Sequence, residues 1–158
     1  MENIKKAYHD YLIEEDEPTI LILKGHVLIE ILLVELIKTQ FKKPEKFDFF
    51  RLSFPNKVRM LVAFDILEDD LLEPYLIFNK LRNQSAHDLN YKASFLDAFN
   101  LCKLLSKKGI SFSDETIFND KVLSEEMYGT MGVLMECIGN LAIDLIIKLH
   151  DRNIEIKL

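Results

Sequence analysis

Apolar residues fall at spacings of three and four along almost the whole chain, the period of helices that each bury one stripe. Ile4, Ala7, Tyr8, Tyr11 and Leu12 predict a first helix over about residues 1–15. Pro18 separates it from a second helix, with Thr19 as its cap, that runs to about Phe41. Apolar side chains cover most of that helix's circumference, so it is expected to be the central one. His26 and Glu30 share a face within it, four residues apart. In so greasy a helix they need polar partners, either each other or the edge of a polar pocket. Lys42, Lys43 and Pro44 end the helix, and Phe47, Phe49, Phe50 and Leu52 read as an irregular or one-turn segment that plugs the core. Ser53 or Phe54 then caps a helix that tolerates Pro55 in its first turn, with Val58, Leu61, Val62, Asp65 and Ile66 on its buried side.

Glu68, Asp69 and Asp70 suit the start of the next helix, which begins between Asp70 and Pro74. Tyr75, Phe78, Leu81 and Ala86 point its stripe at the core. Ser94 to Lys107 carries another stripe and stops at Lys108 and Gly109, and Ile110 to Asp120 is a connector. Lys121 to Arg152 predicts a long final helix whose Met127, Met131 and Met135 join the core stripe. Gly129, Gly132 and Gly139 mark a kink or a close approach of helices. The fold expected is all-α, an antiparallel bundle of about five to six helices in one domain over residues 1–158.

Composition agrees: 49% of residues are apolar, and 5 Gly and 4 Pro are too few for a turn-rich β-sandwich. The net charge of −6 argues against a broad nucleic-acid-binding surface. A local basic pocket needs only that the fold gather some of Lys42, Lys43, Lys46, Lys80, Arg82 and Lys92. Cys102 and Cys137 lie in apolar helical patterns without metal-ligand spacing and read as small buried hydrophobes in a reducing compartment. Lys24, His26, Glu30, Glu35 and Lys38 interrupt the hydrophobic run from Ile20 to Phe41, which makes it a buried helix and not a membrane span. A cytoplasmic protein with no membrane partner, metal or cofactor is expected.

The stretch that stands apart is Lys80-Leu81-Arg82-Asn83-Gln84-Ser85-Ala86-His87-Asp88. It sets an Arg, a polar residue and a His near the end of an amphipathic helix. Histidine, with a pKa of about 6.5, moves protons at neutral pH, and arginine forks two phosphate oxygens with a permanent charge. Cleavage of RNA without metal needs both, one to handle the 2′-OH and leaving-group protons and one to stabilise the phosphorane-like transition state. In a straight helix Arg82 and His87 point about 140° apart and stand about 7.5 Å apart along the axis. Convergence therefore requires loosening between Asn83 and Asp88, or a second copy of the motif across a two-fold axis. In the alternative reading, Arg82 merely pairs with Asp88, Glu30 or Asp65 and His87 complements the helix end.

The Arg82-Asn83-x-x-x-His87 spacing resembles the signature of the HEPN superfamily of small helical domains. The resemblance implies a dimeric bundle with the two motifs facing each other. It implies a metal-independent endoribonuclease in which Arg82 and His87 are catalytic, Asn83 assists, and a 2′,3′-cyclic phosphate is left. His26, Glu30, Lys80 and Asp88 would support that site. Expected partners are RNA, a second copy of the chain, and a cognate antitoxin or regulatory protein in a toxin–antitoxin or phage-defence setting. The order from Leu33 to Leu101 also looks like the mannitol operon repressor family, which implies a non-catalytic regulator. Toxin-type HEPN proteins often place a Tyr two residues after the His; here that position is Leu89, and Tyr91 follows.

Overall fold

A computed structural model of the chain describes residues 16–88, 90–152 and 154. The helix expected over residues 1–15 lies outside them. Among the described residues the fold is a bundle of six α-helices without strands. Helix α1, Pro18–Lys38, is the hub and packs on α2, α3 and α6. It begins one residue earlier than expected because Glu17, not Thr19, caps it, its carboxylate accepting from the Ile20 amide at 3.0 Å. Leu21, Ile22, Ile29, Leu32, Leu33, Leu36 and Ile37 are fully buried in it.

Two short 3₁₀ turns, Pro44–Lys46 and Phe49–Arg51, carry the chain to α2, Phe54–Ala63, which Ser53 caps. Only part of the Phe segment plugs the core. Phe49 is buried, whereas Phe47 and Phe50 are 49% and 57% exposed, because the tight turns aim alternate rings to opposite sides. Asp65, expected on the buried side of α2, is exposed instead. The helix stops at Ala63, and Asp65 takes the left-handed conformation (φ 56°) that turns the chain back.

Helix α3, Leu72–His87, accommodates Pro74 in its first turn and stays helical through His87. Asp88 then becomes extended, with φ −113° and ψ 106°. Ala86 is exposed, not in the core as expected. Helix α4, Phe95–Lys107, opens with a reciprocal capping box between Ser94 and Asp97. The connector contains a short helix α5, Thr116–Asn119, before α6, Lys121–His150.

Helix α6 is kinked at Gly129, whose φ of 58° and ψ of −173° leave the helical region. The turn before that kink is poorly covered, and Met127 is 58% exposed, not in the core stripe. By length and composition α6 could cross a membrane. Its stripe from Val133 to Leu149 is instead buried against α1 and α4. Cys102 on α4 and Cys137 on α6 are both buried free thiols. They sit close enough to interact, and burial above all pushes the Cys137 thiol up.

Candidate functional site

Polar side chains from three helices meet where α1, α2 and α3 come together. His26 of α1 is almost fully buried, its ring centroid 4.2 Å from that of Phe54 and 5.9 Å from that of Phe78. Its Nε2 lies 3.1 Å from Oδ1 of Asn79 on α3. An amide oxygen only accepts, so the ring is the Nε2–H tautomer. Burial lowers the imidazole pKa below its ordinary value; the Asn79 bond opposes this, and the nearby Arg82 charge adds to it. His26 is therefore neutral at neutral pH, a polar wall rather than a charge.

Glu30 does not bond His26. It is taken by Lys57 of α2, whose Nζ is 2.7 Å from Glu30 Oε1 and 2.5 Å from the Leu52 carbonyl oxygen. Lys57 is completely buried, so this ion pair ties α1, α2 and the Phe-rich turn together. Sequence reasoning passed over Lys57 and Asn79. The signal for Lys57 was present: it stands three residues after Phe54 and four before Leu61, on the apolar face of its helix.

Arg82 is half-buried on the rim of this cluster. Its Nη1 donates to Asn83 Oδ1 at 2.9 Å, and no carboxylate partner is found for it among the described residues. The three expected alternatives are otherwise engaged or distant. Glu30 holds Lys57, Asp88 accepts from the Asn90 amide at 2.9 Å, and Asp65 faces solvent beyond α2. His87, the last residue of α3, is exposed and hydrogen-bonds nothing among the described residues. Asn79, Asn83 and His87 recur every four residues, so they form one polar strip beside Arg82. Asn83 sits between the guanidinium and the imidazole on this strip.

The regular helix means that Arg82 and His87 diverge by the full angle, about 140°. The loosening that would have joined them within one chain does not occur before Asp88. Lys80 lies still further round, lining a shallow depression of about 480 Å³ with Asp70, Glu73 and Lys108. A second depression, about 390 Å³, lies between α1 and the Phe-rich turns. Neither is lined by Arg82 or His87. Among the described residues, no group of three or more His, Cys, Asp or Glu side chains could hold a metal ion. No protein-family model, curated protein or solved structure matches the chain.

Proposed function

We propose that the chain is a HEPN-type domain that cleaves RNA without a metal, through a site completed by two copies of α3. The observation that carries this reading is the half-buried residue Arg82, whose guanidinium has no carboxylate partner among the described residues. Such a group binds an anion, and a phosphodiester suits its fork. Beside it the Asn79–Asn83–His87 strip supplies amide groups and an exposed imidazole.

In the proposed reaction the 2′-oxygen attacks phosphorus and the bond to the 5′-oxygen breaks. The His87 imidazole of one copy takes the 2′-OH proton, and the imidazolium so formed protonates the departing 5′-oxygen. Arg82 neutralises the oxygens of the pentacoordinate phosphorus, and Asn83 fixes the guanidinium. The products are a 2′,3′-cyclic phosphate and a 5′-hydroxyl. A toxin–antitoxin or phage-defence role follows from the family resemblance alone.

The test is incubation of the purified protein with mixed RNA in EDTA, beside Arg82→Ala and His87→Ala. Cleavage that survives chelation and disappears in both variants supports the nuclease. RNA left intact by a folded dimer overturns it. A second reading, a non-catalytic regulator that binds a protein or nucleotide, draws support from the divergence of Arg82 and His87 on one regular helix. Intact RNA together with Arg82-dependent binding of a nucleotide would establish that alternative.

A further inference from the structure

We infer that the segment from Phe41 to Arg51 is a stacking platform for single-stranded RNA, an inference that rests on the RNA reading and gives it a substrate class. Three aromatic rings are left open there within ten residues of one another. Phe41, Phe47 and Phe50 are 37%, 49% and 57% exposed. Phe41 and Phe47 are nearly parallel, with centroids 6.3 Å apart and planes inclined by 19°. Buried Phe49 props both from beneath, at centroid distances of 5.1 and 4.9 Å. The rings are therefore fixed in place before anything binds, which lowers the entropic cost of capture.

Cations surround these rings. The segment holds Lys42, Lys43, Lys46 and Arg51 against Glu45 and Asp48, whereas the whole chain carries −6. Asp48 is occupied with Arg51 at 3.2 Å and with the Phe50 amide. Lys42, Lys43 and Lys46 are exposed and make no ion pair among the described residues. Aromatic faces interleaved with free lysines fit stacked bases and their phosphates. A second copy fits poorly, because a two-fold contact through this patch would set the same lysines against each other.

The platform is also joined to the candidate site. His26, Glu30, Val34 and Lys38 follow one another every four residues along α1, about 18 Å from end to end. Val34 and Lys38 line the depression under Phe47 and Phe50, and His26 lies beside Arg82. A strand held at Arg82 thus reaches the rings within a few nucleotides.

The test uses a fluorescent 2′-O-methyl oligouridylate of about twelve nucleotides, which binds but is not cut by 2′-OH attack, and anisotropy as the readout. Phe47→Ala and Phe50→Ala should each weaken binding about tenfold, while Phe50→Tyr keeps it. Lys42→Glu with Lys43→Glu should flatten the salt dependence by about 1.4 in log–log slope. On cleavable RNA the Phe variants should raise KM and spare kcat, whereas Arg82→Ala abolishes turnover. Because both rings are exposed, circular dichroism of these variants should match the parent. Unchanged binding by the Phe variants overturns the platform and leaves the nuclease reading standing. Ring-dependent binding without any cleavage keeps the platform and removes the nuclease. No binding of the oligonucleotide, or ring-dependent binding to anionic vesicles instead, overturns the platform.

Discussion

The Nε2 of His26 lies 3.1 Å from the Oδ1 of Asn79, and this bond joins the hub helix to the helix that carries Arg82. Burial holds the imidazole pKa below its ordinary value, with Arg82 and Lys57 pushing the same way and Glu30 and the Asn79 bond opposing. A histidine whose pKa falls on folding stabilises the fold fully above its unfolded pKa of about 6.5. That contribution is lost as pH drops from there through the folded value. Urea midpoints should therefore decline between about pH 7 and pH 5, and His26→Gln should make the decline shallower. A parent and a variant with the same slope would exclude His26 as its source.

Lys57 and Glu30 pair a fully buried cation with a partly exposed carboxylate, and the two ends are not equivalent: Lys57 has no exposure, while 24% of the Glu30 side chain reaches solvent. Lys57→Met should cost about 3 kcal/mol, since it strands Glu30 and the Leu52 carbonyl. Adding Glu30→Gln removes the stranded charge and should recover part of the loss. Denaturant unfolding of the single and double variants measures both. A cost near zero for Lys57→Met would mean that the pair's attraction barely exceeds its desolvation.

Gly25 marks a close approach of α1 and α6. A Cβ placed there would stand 2.7 Å from both Cδ1 and Cγ2 of Ile138, which is itself fully buried. Gly25→Ala should destabilise by about 1–3 kcal/mol. Combining it with Ile138→Ala should cost less than the sum of the two single changes, because the cavity left by one accepts the methyl of the other. Thermal unfolding of the three variants decides this.

The all-helical architecture could be read from the three-and-four spacing because nearly every helix has a stripe to bury, as Phe95, Ala98, Phe99, Cys102 and Leu105 illustrate. Helix starts were legible where a Pro or Ser fixes them, as at Ser53 and Pro55. What period alone missed was tertiary in origin. Asp65 takes a left-handed turn that ends α2, and a pattern of apolar residues contains no information on that stop. Phe47 and Phe50 look like core by residue type, yet two 3₁₀ turns send them outward. At the candidate site, the spacing located Arg82, Asn83 and His87 and flagged His26 and Glu30 as needing partners. The partners themselves, Asn79 and Lys57, come from helices far away in sequence and emerge only when the bundle closes.

The divergence of Arg82 and His87 decides how a complete site must be built, and mixing inactive variants reads it directly. If each site takes Arg82 from one copy and His87 from the other, a heterodimer of Arg82→Ala and His87→Ala keeps one intact site and one doubly damaged site. Refolding the two inactive proteins together at equal concentration should then restore about a quarter of the parent activity, because half the dimers are mixed and each has one working site of two. If both groups act within one chain, every site in the mixture is damaged and no activity returns. The His87→Ala protein should match the parent's melting temperature, since that imidazole is exposed and bonds nothing among the described residues. Its inactivity would then report lost proton transfer, worth about 10²–10⁴ in rate, and not a lost fold.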